Sequence, residues 1–248
     1  MQPHLIRYWL TSSKEEQFDA KVTDICQLYH DAPALDAQGE RVVSTDELTG
    51  VQALERLHPG LPLAPGKVER REFEYLRHGT GTFILSRDVV SGQILAPSCG
   101  LTRTEADFLA HVQGVVATDR NATRWHFVVD NLDIHRSASL VRYVAALSGL
   151  EVDLGEKGQH GILHNRQSRA AFVRKPWHRM VFHDTPKHCS WLNQVEVWLS
   201  ILVRKLLKRG SFTSGADLIA KVRHFIAYYN RTMAKPFRWT YQGTPLVA

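Results

Sequence analysis

The sequence predicts a mixed α/β layered domain, and three observations lead to it. Short apolar runs of strand type, W-H-F-V-V at 125–129 and R-M-V-F-H at 179–183, alternate with segments whose apolar residues recur every three or four positions. The order reads strand, hairpin, helix, strand, helix, strand, helix, helix, which suits a sheet with helices layered on it. The 248 residues are 44% apolar and 23% charged, an ordinary globular composition, and long enough to bury a sizeable core.

The elements follow in chain order. Tyr8 and Trp9 open the chain as an aromatic pair. Phe18, Val22, Ile25 and Leu28 recur at spacings of four, three and three and predict a helix. D-A-P-A-L-D-A-Q-G-E, residues 31–40, reads as a connecting loop, and R-V-V-S-T-D-E-L, 41–48, as a short strand entering a turn. Residues 57–66 are dense in Pro and Gly and should be irregular. R-R-E-F-E-Y-L-R-H-G, 70–79, reads as a strand ending at Gly79, followed by a hairpin around Ser91-Gly92. Thr104 with Asp107 makes a capping box ahead of the stripe Phe108, Leu109, Val112 and Val116. Ser137 caps a helix carrying Leu140, Val141, Val144 and Leu147. Two helices close the chain, 191–209 with Leu192, Val195, Leu199, Leu202 and Leu206, and 215–233 with Leu218, Val222, Phe225, Ile226 and Tyr229. Right-handed strand-helix-strand crossovers would bring the strand ends at 46 and 130 to one edge.

Charge is unevenly spread. Residues 1–156 carry 15 Lys and Arg against 22 Asp and Glu, whereas 157–248 carry 16 against 3. A basic second half fits a polyanionic partner, most simply nucleic acid, and equally a solvated basic surface. Cys26, Cys99 and Cys189 are too widely spaced for a disulfide framework. No stretch approaches the ~18 continuous apolar residues of a membrane span, and the N-terminus lacks signal-peptide features. The expected location is the cytoplasm, with no membrane partner.

Three acidic residues stand where chemistry could use them. Asp46 ends one strand and Asp130 another, at the carboxyl edge where open α/β sheets commonly bind ligands. Glu196 falls on the flank of an apolar helical stripe, beside Asn193 and Ser200, half-buried and in want of a compensating cation or donor. Hard divalent cations take such oxygen ligands, and two of them about 4 Å apart suit phosphodiester chemistry. A turn or cap role for each acid alone is the competing reading. His178, His183, His188 and Cys189 match no standard zinc spacing.

The segments V-S-T-D-E-L-T-G-V-Q-A-L-E-R (43–56), V-V-D-N-L-D-I-H (128–135) and T-P-K-H-C-S-W-L-N-Q-V-E-V-W (185–198) resemble the three catalytic motifs of bacterial insertion-sequence transposases of the mariner-like branch of the DDE superfamily. Y-L-R-H-G-T (75–80) and Y-Y-N-R-T-M-A-K-P-F-R-W-T-Y (228–241) resemble that family too, so the likeness runs from about residue 4 to the C-terminus. It implies a ribonuclease H-like mixed sheet flanked by helices, with residues 1–40 a linker and helix and 41–248 the catalytic domain. It implies Asp46, Asp130 and Glu196 as catalytic residues holding two Mg²⁺ or Mn²⁺ ions. Beside them, Asn131 and Asn193 are placed to orient the carboxylates, a turn residue and a first-turn helix residue being the alternatives, and His135 to touch a phosphate or the metal-bound water, a hydrogen-bonded structural role being equally open. The implied reaction is cleavage at transposon ends followed by attack of the freed 3′-hydroxyl on target DNA, without a covalent enzyme intermediate. The implied partners are double-stranded DNA and a second copy, and the implied setting is a bacterial nucleoid.

Two departures accompany the resemblance. Asp130 and Glu196 are 66 positions apart, a wide spacing, and the extra length lies in a glycine-rich basic stretch at 155–169 within a basic insertion near 155–178. Lys157, Arg166 and Arg169 of that segment, with Lys187, Lys205, Lys208 and Arg209, are expected DNA contacts, a solvated surface being the alternative. Trp191 is expected in the core, with packing against DNA sugar as the alternative. The family's N-terminal helix-turn-helix modules, which read inverted repeats, lie outside this chain on the same reading. A non-catalytic DNA-binding remnant and another ribonuclease H-like nuclease are the alternative functions.

Overall fold

The elements in chain order are α1 (Phe18–Ala37), β1 (Glu40–Arg56), β2 (Tyr75–Asp88), β3 (Ile94–Gly100), α2 (Glu105–Val116), β4 (Arg124–Val129), α3 (Ala138–Leu147), α4 (Arg166–Val173), β5 (Met180–Asp184), α5 (Val195–Leu202) and α6 (Gly215–Thr232). They belong to a computed structural model that describes residues 17–242, so Tyr8 and Trp9 lie outside the described residues. The five strands form one sheet in the order β3-β2-β1-β4-β5. β1, β2 and β3 pair antiparallel, whereas β4 runs parallel to both β1 and β5.

Strand alternation sorts the side chains onto two faces. Val43, Phe127, Val129, Ile84 and Phe182 face α2, α3 and α4 and build one core with Phe108, Val112, Leu140, Val144 and Phe172. On the opposite face, Val42 and Val128 meet Val22, Ile25 and Tyr29 of α1. Phe83 and Leu85 meet Trp198 of α5 and Leu218, Val222 and Ile226 of α6. The helical stripes read from the sequence therefore fill both faces. The caps read from it also form: Thr104 and Asp107 make a capping box at α2, and the Ser137 hydroxyl accepts from Leu140 N at 3.2 Å.

Several boundaries differ from expectation. Residues 31–37 are helical, not loop, because α1 continues through Pro33 to Ala37. Burial of Leu28 and Ala32 along one stripe outweighs the ~3 kcal/mol that proline costs inside a helix. β1 does not turn near residue 48 but runs 17 residues to Arg56, with register shifts between Leu48 and Val51 and between Gln52 and Leu54. Gly50, at φ +66°, absorbs the first shift as a bulge. The following strand begins at Tyr75 rather than residue 70 and passes through Gly79 to Asp88. The hairpin at Ser91-Gly92 forms as expected, and Gly92 is obligatory because a Cβ there would lie 2.0 Å from the Lys235 carbonyl oxygen.

The segment 155–178 is part of the folded unit. Gly155 and Gly161 let the backbone fold on itself, with Glu156 bridged to His160. Leu163 is fully buried, and α4, which the sequence does not lead one to expect, contributes Phe172 and Val173 to the core. Asn165 caps that helix in a capping box with Ser168. The helix expected over 191–209 is divided into a 3₁₀ turn at Ser190–Leu192, α5, and a π-type turn at Val203–Leu207. Trp191 is half-exposed, not core, because Leu192 takes the buried place beside α1 while Trp191 meets Tyr241 edge-on. Among the described residues no helix is long and apolar enough to cross a membrane.

Candidate active site

The parallel register of β1 and β4 pairs Glu40 with Arg124 and continues to Ser44 beside Val128. Two residues further on each chain stand Asp46 and Asp130, neighbours across adjacent strands at the carboxyl edge of the sheet. Alternation puts Asp46 on the face of Ser44, and that face receives the chain entering α5. The Ser44 hydroxyl accepts from Val195 N at 2.8 Å and donates to Asn193 Oδ1. Glu196, in the first turn of α5, is thereby delivered to Asp46 and Asp130.

Asn193 is the keystone of this arrangement. It is 1% exposed, and its amide donates to the Thr45 carbonyl at 2.9 Å and to Asp46 Oδ2 at 3.2 Å. The Glu47 backbone N–H donates to Asp46 Oδ1 at 2.8 Å, so both oxygens of Asp46 are directed. Asn193→Ala leaves the Thr45 carbonyl and Ser44 hydroxyl without this partner. The expected loss is about 2–3 kcal/mol of stability, read by denaturant unfolding. Divalent-ion affinity is expected to fall by about 10–100-fold, read by calorimetric titration.

The three carboxylates act on one another. Burial first, and then the charges of Asp130, Glu47 and Glu196, together raise Asp46 to about 7 against the help of the Glu47 N–H. Burial also raises Glu196, opposed by a hydrogen bond with Asp46 and reinforced by the charge of Asp130. Two carboxyl groups can hydrogen-bond only by sharing a proton, so a positive particle is what this cluster wants. Asp130 goes the other way: burial disfavours its ionisation, but His135 overrides that and holds it below the usual carboxylate range.

His135 is 1% exposed and lies between two carboxylates, with Nε2 2.9 Å from Glu47 Oε1 and Nδ1 3.1 Å from Asp130 Oδ1. Burial opposes its charge, yet the bonds to Asp130 and Glu47 raise it to about 10. Candidate ligand atoms of Glu47, Asp130 and His135 lie within 4.8 Å of one another. Nε2 faces a carboxylate oxygen of Glu47, and Nδ1 faces both the backbone carbonyl and a carboxylate oxygen of Asp130, so both nitrogens meet acceptors, which favours the protonated ring. Asp130 is thereby compensated through His135, whereas Asp46 and Glu196 have no such cationic partner among the described residues. Three carboxylates are the donor set a hard divalent ion requires.

The other site residues read from the sequence are placed variously. Asn131 turns away from the carboxylates: its amide donates to the Thr185 carbonyl and its oxygen accepts from Arg136 Nη2 at 2.7 Å. Arg169 is committed internally, to the carbonyls of Arg136 at 2.6 Å and Leu163 at 2.9 Å. Lys157 pairs with Glu105 at 3.6 Å, and Arg166 with Asp133 at 2.7 Å. Lys187, Lys205, Lys208 and Arg209 are exposed. Lys208 lines a groove of about 530 Å³ with Glu47, Glu196, Ser200 and Arg204, next to the carboxylates. Sequence reasoning missed Glu47, although its place beside Asp46 and on the opposite face follows from strand alternation. It also missed Arg136, Arg174 and Asp184, which meet only in the folded chain.

A family model described as DDE superfamily endonuclease matches residues 41–219. Among curated proteins none matches the chain in sequence. The Mos1 mariner paired-end complex with Mn is similar in structure, at TM-score 0.53 and 13% identity over 90% of this chain and 59% of that one. The Mos1 strand transfer complex is similar at TM-score 0.54 and 11% identity, over 90% and 58%. The catalytic domain of Mos1 mariner transposase gives TM-score 0.50 and 11% identity over 88% and 85%. The chain thus spans about three-fifths of the length of the first two and most of the isolated catalytic domain. Its mixed five-stranded sheet flanked by helices is the fold of that domain, ribonuclease H-like.

Proposed function

Because the chain belongs to the DDE superfamily endonucleases, we propose that it cuts DNA and joins the cut strand to a target, as the catalytic domain of a transposase. One observation carries this reading: Asp46 and Asp130, each two residues beyond the last β1–β4 pair, Ser44 with Val128, lie close enough to act electrostatically on each other and on Glu196 of α5. Asp46, Asp130 and Glu196 are the metal-holding and catalytic residues on this proposal. A bound pair of Mg²⁺ or Mn²⁺ ions would supply nucleophile activation and neutralise charge building on the phosphate. His135 keeps Asp130 ionised, Asn193 aims Asp46, and Glu47 balances His135 from the opposite face. Arg204 and Lys208 lie beside the carboxylates, where a DNA backbone would pass.

The likeness to Mos1 complexes, one with Mn and one of strand transfer, supports the metal and the joining step. A bacterial mariner-like branch, pairing of two copies on DNA ends, and the domain limits 1–40 and 41–248 remain parts of the same proposal. Residues around Lys205, Lys208 and Arg209 are proposed DNA contacts. Lys157, paired with Glu105, and Arg166, paired with Asp133, are proposed for that set together with Lys187.

Strand transfer tests the reaction. Incubation with pre-nicked transposon-end DNA and a supercoiled target should yield joined products in Mn²⁺. Hydrolysis without joined product would favour an ordinary nuclease of this fold. Ion binding is tested by melting. At Mn²⁺ 100-fold above its dissociation constant, stabilisation of about 2.7 kcal/mol is expected. That corresponds to a Tm rise on the order of 5–10 °C for this size. Asp46→Asn should remove most of the rise, and an equal rise in that variant would place the ion elsewhere.

A further inference from the structure

A second groove, of about 520 Å³, opens off the carboxyl ends of β4 and β5. Lys21, Arg136, Arg166, Arg174 and Lys187 line it, and none of its lining residues is acidic. Behind it, Asp184 is 6% exposed, and its Oδ2 serves two guanidiniums: Arg136 Nη2 at 3.0 Å and Arg174 Nε at 2.8 Å. Asp24 also acts on Arg174, and Asp133 pairs with Arg166 at 2.7 Å, so the five basic side chains lining the groove outnumber the three carboxylates around them. Arg136 is 8% exposed, and its Nε is buried without a hydrogen-bond partner among the described residues. That Nε is sealed from the groove, and it is the excess of basic side chains along the groove that attracts an anion.

The position of the groove says which anion. Val129 pairs with Asp184 across β4 and β5, and Asp130 directly follows Val129. Asn131 joins the two sites: it follows Asp130, lines the groove and binds Arg136. Adjacent strands are about 4.8 Å apart, so the groove begins one strand away from the carboxylates. A nucleic-acid strand lying along the carboxyl edge with one phosphate at Asp46 and Asp130 carries a neighbouring phosphate over Arg136, Arg174 and Arg166. Guanidiniums match a phosphodiester by paired N–H donors.

We propose that this groove is a phosphate subsite, holding a phosphodiester that neighbours the cleaved one on the same DNA strand. The proposal rests on the DNA-cutting function above and deepens it by assigning Arg136, Arg174 and Arg166 to the strand's path. The subsite sets the position of the strand, and the carboxylates act on what that position presents.

The test uses the full chain in EDTA, so that binding is read without cleavage. The probe is a 5′-fluorescein oligothymidylate followed by anisotropy at several salt concentrations. Gln167→Glu and Ala171→Glu each place a carboxylate on the exposed face of α4 lining the groove without removing any core side chain. An acid at 167 also suits the first turn of a helix, and thermal melts confirm folding. The expected result is about tenfold weaker binding and a salt slope shallower by about 0.7 for each phosphate that is no longer neutralised. Unchanged affinity and slope in both variants overturns the proposal. Inorganic phosphate at matched ionic strength separates a free anion from DNA. If phosphate raises Tm, loses that effect in the variants, and oligonucleotide binding is unaffected, the groove belongs to a free anion and the proposal is overturned. A chain that binds through the groove but never cuts leaves the subsite standing and removes the catalytic reading.

Discussion

Asp130→Asn is expected to reduce metal-dependent nicking of supercoiled DNA by at least ~10³-fold, equivalent to about 4 kcal/mol of transition-state stabilisation. Asp130 is the carboxylate the fold keeps ionised. His135 donates to it at 3.1 Å and lowers its proton affinity, whereas burial raises Asp46 and Glu196. It therefore offers the most available negative charge to a divalent ion. Asparagine keeps the size and one oxygen that His135 can still reach, so the packing survives while the charge does not. A thermal melt close to that of the unaltered chain shows that the loss is chemical. Equal nicking by both proteins would contradict a catalytic role for Asp130 and leave the non-catalytic DNA-binding reading standing.

Trp198→Ala has the largest expected effect on stability. Trp198 is fully buried between β1, β2 and α6, with Tyr229 edge-on at 5.8 Å and Phe225 at 6.3 Å. Its Nε1 has no hydrogen-bond partner among the described residues, so the change forfeits packing and not a polar contact. Truncating a buried tryptophan costs about 3–5 kcal/mol, a Tm fall of roughly 6–20 °C at this size. The effect reaches the site as well. Glu196 is two positions before Trp198 on the short helix α5, and no side chain caps that helix at Gln194. The indole is what seats α5 on the sheet, so Trp198→Ala should weaken Mn²⁺ binding along with the fold. Trp198→Phe, which fills most of the space, should recover the greater part of both, as read by melting and calorimetric titration. Full stability in Trp198→Ala would show that α5 is seated by other contacts.

The two parallel strands were legible because W-H-F-V-V and R-M-V-F-H are continuous apolar runs, the mark of strands buried on both faces. Helix faces were legible from their spacing; Asp46, read as a strand end, lies inside β1, whereas Asp130 does follow the last residue of β4 and Glu196 does lie on α5. The helical 31–37 stretch was not legible, because Pro33 argues locally against a helix that only packing on the sheet sustains. Nor was the full length of β1, whose Gly50 reads as a turn but serves as a bulge opposite β2. α4 was hidden by the glycines and charges around it; its apolar residues are few, and their burial depends on α3 and β5. The groove beyond Asp130 was invisible for a different reason. Lys21, Arg136, Arg174 and Lys187 come from four separate stretches of chain, and only the fold brings them to one edge.

The convergence of Asp46, Asp130 and Glu196 on divalent ions is tested most directly by anomalous diffraction from crystals of the chain grown with Mn²⁺. The expected map has two peaks about 4 Å apart, bounded by carboxylate oxygens of Asp46, Asp130 and Glu196, with His135 still bonded to Glu47 and Asp130. A single peak ligated by Glu47, Asp130 and His135, or none near Asp46 and Glu196, would contradict the two-ion site.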